Sequence, residues 1–231
     1  SAASSGIATR RSVRTGTASR ATGRTPDYAA LKRDLRQWEG PLYVYPKFTS
    51  TSSSIGPFLD ALAPVYQREK LKPADIERFI IVREWPLDSP FVNKIRHFEP
   101  PQTIVGAQLN MNYSIALFLQ RGAASVYDFT PAALHDKAVL ALAAKAGYEL
   151  VAPTENFAIK VVLRDGRSIS APFKYSRGEQ PEPVMQEMRM AKFAALTRER
   201  LTANTRQQVI EMVERLDTVK NVAEWTAALH K

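Results

Sequence analysis

The sequence predicts an α+β domain: a small mixed or antiparallel sheet packed on helices, with further helices at its C-terminal end. Three observations carry that expectation. Val161-Val162-Leu163 and Ile169 flank Asp165-Gly166, a pair suited to a two-residue hairpin because both central positions favour positive φ. Phe79-Ile80-Ile81-Val82 is an apolar run of the length of a buried strand. Leu59, Leu62, Ala63 and Tyr66, and later Met188, Phe193 and Leu196, then Val209, Ile210, Val213, Leu216 and Trp225, fall at helical spacing.

Taken in order, residues 1–26 are mostly Ser, Thr, Ala, Gly and Arg, with no acidic residue and almost no large apolar side chain. Such a segment buries too little apolar surface to offset its ordering entropy, so it is expected to be disordered. Three origins stay open: a basic tail that visits polyanions, an organelle transit segment, or a remnant of a longer chain. Residues 27–231 then read as one domain. Asp27 starts a short helix to residue 39, with Leu31 and Leu35 one turn apart, and Gly40-Pro41 stops it. Leu42 to Tyr45 is a short β-prone run. Lys47 to Gly56 is a Ser/Thr loop, and Pro57 opens a helix to about Lys70.

Pro73 to Asp75 is a turn, Ile76 to Trp85 a strand, and Pro86 to Pro101 a proline-punctuated loop. Ala107 to Gly122 reads as one apolar helix carrying Tyr113. Thr130-Pro131 signals a second helix, to about Ala146. Ala158 to Tyr175 is the hairpin, Ser176 to Glu182 a loop, and two amphipathic helices follow from Met185. The order is β-α-β-α-α-β-β-α-α, with helices on one face of the sheet.

Composition narrows the function. The chain has 231 residues, 45% of them hydrophobic, which suffices for a real core. No apolar run is long enough to span a bilayer. With no cysteine, disulfides and thiolate-bound metal are excluded, and a reducing compartment fits: the cytoplasm, or the mitochondrial matrix if the start is a transit segment. The net charge is +9, but residues 1–36 hold eight basic residues against Asp27 and Asp34. That leaves +3 for the other 195 residues, so nucleic-acid binding is not expected of the domain.

Two side chains stand out chemically. Lys47 precedes the loop Thr49-Ser50-Thr51-Ser52-Ser53-Ser54, whose hydroxyls and free N–H groups lead into a helix start. That arrangement suits a carboxylate or phosphate; it equally suits a solvated linker with a surface lysine. Tyr113 lies where an apolar helix begins. A desolvated phenol donates a proton or steadies an enolate; a core tyrosine instead gives its hydroxyl to a backbone carbonyl. Asn110 and Asn112 are as suited to capping that helix as to binding. His97, His135 and His230 share no ligand spacing and read as non-catalytic.

Beyond this, a series of segments in order resembles the C-terminal half of the MmgE/PrpD family, which includes 2-methylcitrate dehydratase, cis-aconitate decarboxylase and iminodisuccinate epimerase. Lys47 leads to Pro57-Phe58-Leu59-Asp60-Ala61, similar to a family P-x-I-D-A helix start. Asp75-Ile76-Glu77-Arg78-Phe79 is similar to a D-I-x-x-I strand start. Ala107-Gln108-Leu109-Asn110 through Tyr113 to Gly122 is similar to A-Q-F-S-x-x-Y-x-x-A-L-x-L-x-x-G. Leu163-Arg164-Asp165-Gly166 and Ala191-Lys192-Phe193 complete the series. Each motif is weak; their ordered conjunction is fairly specific.

The resemblance implies a lyase or isomerase acting on small di- or tricarboxylic acids by proton abstraction next to a carboxylate, followed by dehydration, decarboxylation or epimerisation. It places Lys47 and Tyr113 in the active site as catalytic residues; the Ser/Thr loop beside Lys47 itself offers Ser52 and Ser53 as substrate-binding hydroxyls. It requires no metal and no organic cofactor. It implies a homodimer. The family's upstream helical domain supplies the remaining catalytic groups; none is recognised in this sequence, so the chain is expected to need a helical partner subunit or to be inactive alone. The alternatives are a non-catalytic scaffold or dimerisation module, and polyanion binding through the Arg-rich tail.

Overall fold

The computed structural model describes residues 47–152, 157–173 and 182–218, with residues 221, 223, 226 and 227 beyond them. These lie within the compact unit Tyr45–Lys231. The expected disordered segment 1–26, helix 27–39, strand Leu42–Tyr45, loop Ser176–Glu182 (apart from Glu182) and Trp225 fall outside the described residues.

The elements are α1 (Gly56–Arg68), β1 (Ile76–Arg83), α2 (Pro90–Arg96), α3 (Ile104–Leu109), α4 (Met111–Arg121), α5 (Lys137–Ala143), β2 (Gly147–Leu150), β3 (Phe157–Leu163), β4 (Ser168–Phe173), α6 (Glu182–Thr197) and α7 (Ala203–Glu214). The architecture is α+β. One four-stranded mixed sheet runs in the order β2-β1-β3-β4. β1 pairs parallel with β2 and antiparallel with β3, and β3 pairs antiparallel with β4. A parallel neighbour needs a crossover connection, and here residues 84–146 provide it, carrying α2 to α5.

Strand alternation sets the core face. Phe79, Ile81, Ile159 and Val161 are buried and lie in register, Phe79 opposite Val161 and Ile81 opposite Ile159. α1 packs on this side, its Phe58 ring edge-on to Phe173 at 4.8 Å. The intervening Lys160 belongs to the other face and pairs with Glu149 at 2.6 Å.

Several boundaries differ from the sequence reading, each for a local reason. The 86–101 loop contains α2: Ser89 caps it by accepting from the Phe91 amide, and Pro90 occupies its first turn. The 107–122 helix is two helices. Asn110 adopts an extended conformation, ends α3, and caps α4 by accepting from the Tyr113 amide at 3.0 Å. The Thr130-Pro131 signal yields only the 3-10 turn Ala133–His135, because extended Asp136 interrupts it and caps α5 through the Ala138 and Val139 amides.

The four-residue β2 is too short for alternation to announce it. The hairpin is also one residue longer than expected. The Leu163 amide reaches the Arg167 carbonyl, leaving Arg164, Asp165 and Gly166 in the loop, and only Gly166 has positive φ, +87°. That is a three-residue loop with glycine at its left-handed position.

The fold centres on α4, buried at every position from Met111 to Leu119. Its three consecutive polar side chains all reach backbone carbonyls. Asn112 Nδ2 donates to Ile95 of α2 at 2.8 Å and Ala143 of α5 at 3.2 Å. The Tyr113 hydroxyl donates to Ala133 at 2.7 Å, and Ser114 Oγ donates to Ala107 of α3 at 3.0 Å. Gly122 ends α4 at φ +72°, where a Cβ would press on the Tyr66 ring at 3.3 Å.

α1 ends in the same way but without glycine. The Lys70 amide bonds the Gln67 carbonyl and the Leu71 amide bonds the Tyr66 carbonyl, with Lys70 held at φ +49°. That is a Schellman cap whose left-handed position carries a side chain. Lys70→Gly is expected to raise the unfolding free energy by about 0.5–1 kcal/mol; a urea melt showing equal or lower stability would contradict this account of the cap.

Candidate functional site

Lys47 and the Ser/Thr loop line a cleft of about 350 Å³. Four tethers hold the loop. The Lys47 ammonium donates to the Thr51 carbonyl at 3.1 Å. The Ser50 amide donates to Ala124 and the Ser52 amide to Gln108, at 3.2 and 3.1 Å. Arg83, buried at the end of β1, donates to the Ser54 carbonyl at 3.3 Å. The guanidinium also stacks over Trp85, 4.0 Å from the ring centroid.

Hydroxyl pairs complete the loop: Thr49 with Thr51, and Ser52 with Ser54, each at 2.9 Å. The expected supply of free amides at the start of α1 is not what the loop offers. The Ile55 and Gly56 amides both donate to the Ser52 carbonyl, and α1 has no side-chain cap. The polar side chains lining the cleft are the loop hydroxyls, two ammoniums and Gln108.

Lys192, on α6, is the second cation of the cleft. It donates to the Lys47 carbonyl and so ties α6 to the loop. Each ammonium has three N–H donors, and one carbonyl uses only one of them. Lys192 belongs to the Ala191-Lys192-Phe193 motif, and nothing in the sequence signals that residues 47 and 192 meet. The remaining walls are Gln108 with apolar Val105, Leu109, Val126 and Leu196. Val105 and Leu109 are each 63% exposed, so the rim is apolar and open.

Of the four side chains singled out from sequence, Lys47 and Ser52 line this cleft. Ser53 is exposed and is not among the lining residues. Tyr113 is fully buried, and its hydroxyl is engaged by Ala133. Burial raises its pKa; the Arg121 charge opposes this and Asp136 adds to it. Asn110 and Asn112 act as cap and tether. His97 ends α2 beside a different cleft, His135 lies in the 3-10 turn, and His230 falls outside the described residues.

Residues 51–218 match the MmgE/PrpD C-terminal domain. The chain belongs to the MmgE/PrpD family. The match includes Ser52, Ser53, Tyr113 and Lys192, and begins four residues after Lys47. No curated protein matches the chain. Among the described residues, no helix is long and apolar enough to cross a membrane.

Asp60, in the P-x-x-D-A segment of this MmgE/PrpD domain, was not singled out by sequence. Burial raises its carboxyl from 3.8 to about 6. The folded state therefore binds the proton more tightly than the unfolded chain, and stability falls as pH rises between 3.8 and about 6. Asp60→Asn removes that loss. The variant should match the parent near pH 4 and exceed it above pH 6, by at most about 3 kcal/mol and less as solvent reaches the carboxyl. Denaturant melts at both pH values check this; a constant difference would refute it.

Tyr113→Phe removes the hydroxyl donor to the Ala133 carbonyl, which keeps the Asp136 amide at 3.1 Å. The expected cost is about 0.5–1.5 kcal/mol of stability. Anion affinity at the lysine cleft should be unchanged, which calorimetric titration of the variant tests.

Proposed function

We propose that this MmgE/PrpD domain holds the carboxylates of a small di- or tricarboxylic acid for a lyase or isomerase reaction. The observation that carries the reading is the pairing of Lys47 with Lys192 in one cleft of a domain from this family. Two cations with spare donors suit a dianion, and the Thr49, Thr51 and Ser52 hydroxyls suit its remaining oxygens.

The chemistry in this reading is removal of a proton next to an anchored carboxylate. Loss of water, loss of CO2 or reprotonation then follows. Lys47 and Lys192 favour the negative charge that grows on the carboxylate as the proton leaves. Tyr113 serves as proton donor or as hydrogen-bond donor to the enediolate. Its burial favours the protonated phenol, the form that donates. To act so, its hydroxyl exchanges the Ala133 carbonyl for substrate. The partner groups come from a helical domain or a second chain, and positioned groups of this kind act as a unit.

A scaffold or dimerisation role is the second reading, favoured by the exposed Val105 and Leu109 at the cleft rim.

Thermal melts with citrate, aconitate and succinate separate the two. Under the first reading a di- or tricarboxylate raises the melting temperature. Lys47→Ala and Lys192→Ala each weaken the underlying affinity about tenfold and so shrink that response, as expected for loss of one charge-assisted contact. Added salt weakens it too, because both ammoniums are solvent-facing. No response to any acid from a cooperatively melting chain would sink the carboxylate reading and leave the scaffold. In a catalytically competent assembly, normal turnover by Tyr113→Phe would remove Tyr113 from the mechanism.

A further inference from the structure

A second cleft, of about 580 Å³, opens between the end of β1, α2 and the α3–α4 junction. Helix α3 separates it from the lysine cleft: Leu109 lines both, while Ser52 lines one and Ser54 the other. Neither Lys47 nor Lys192 lines it. Its volume lies within the range of small-molecule pockets.

One wall is an aromatic stack. Phe91 lies on Trp85 with ring centroids 4.8 Å apart and planes 24° from parallel, and Arg83 covers Trp85 at 4.0 Å. Phe91 is 58% exposed, so aromatic surface remains available on this wall. At the rim Lys94 and Glu99 bring opposite charges, so the cleft demands no net charge of its occupant.

Asn112 contributes to the floor and is only 2% exposed. Its Nδ2 donates to both the Ile95 and Ala143 carbonyls. Those two acceptors fix the amide, because the flipped orientation would set oxygen against oxygen. Oδ1 is left with no donor from any described residue, and it is not sealed from solvent. A fixed, nearly buried acceptor of this kind calls for a donor beyond the described residues.

We propose that this cleft binds a small planar aromatic compound carrying an N–H donor, its ring against Phe91 and its N–H on Asn112 Oδ1. Aryl amides and nucleobase-like heterocycles have that chemistry. The proposal is independent of the carboxylate reading.

Asn112 variants also lose the tethers to α2 and α5, so the acceptor is tested through the ligand. Benzamide and N,N-dimethylbenzamide are titrated onto the purified chain by ligand-observed NMR. Benzamide is expected to saturate with a Kd on the order of 1 mM, as its size allows. The dimethyl compound, which has no N–H, should bind about tenfold more weakly. Phe91→Ala, in a variant that still melts cooperatively, should weaken benzamide about fivefold. Lys47→Ala should leave it unchanged. Equal affinity for the two amides, indifference to Phe91→Ala, dependence on Lys47, or the absence of saturable benzamide binding would each overturn the proposal.

Discussion

The rest of the described structure depends on burying α4 on every side. A helix enclosed from Met111 to Leu119 can hold polar side chains only where each finds a partner. Asn112, Tyr113 and Ser114 find theirs in carbonyls of four other segments, at Ile95, Ala143, Ala133 and Ala107. Those carbonyls lie in or near short helices, which are marginal without tertiary support. The polar start of α4 therefore positions α2, α3, α5 and the 3-10 turn, while its apolar remainder fills the core. Apolar replacements here would strip each of these carbonyls of its side-chain donor at once.

The two clefts follow from that arrangement. α3 has six residues and is fixed at both ends, by the Thr103 hydroxyl on the Gly106 amide and by the break at Asn110. Its Val105, Gln108 and Leu109 border one cleft, and its Gly106 and Leu109 the other. The Ser52–Ser54 hydroxyl pair joins them across the loop. Arg83 holds the Ser54 carbonyl and stacks on Trp85, so one guanidinium connects the lysine loop to the aromatic wall. Replacing it by lysine would lose the planar stack, since an ammonium cannot cover a ring in the same way.

What the sequence made legible was periodicity. The β1, β3 and β4 cores, α1, α4 and the α6–α7 pair all carry strong apolar spacing, and all are present. The missed elements are local competitions. Asn110 and Asp136 each serve better as caps than as helix interior, so they divide what the pattern reads as continuous. Ser89-Pro90 is a helix start hidden among prolines, and β2 is too short to alternate. The site was legible in part. Lys47 and its loop were visible as polar residues before a helix, but the use of the Ile55 and Gly56 amides was not. Lys192 was invisible as a partner because 145 residues separate it from Lys47.

Under the proposed carboxylate reading, the lysine cleft also sets how tightly an anion would be held. Two ammoniums facing water would hold a carboxylate weakly, because a charge pair at 4 Å is worth about 1 kcal/mol at the dielectric of water and about 4 at the lower values near a protein surface. The same geometry strengthens when water is excluded. The rim around Lys47 and Lys192 is built for that: Val105, Leu109 and Val126 are exposed apolar side chains beside the cations. Covering them would remove apolar surface from water and lower the dielectric at the lysines in one step. In that view the scaffold and carboxylate readings describe two uses of one surface. What separates them is whether the anion is held by these lysines before any cover arrives.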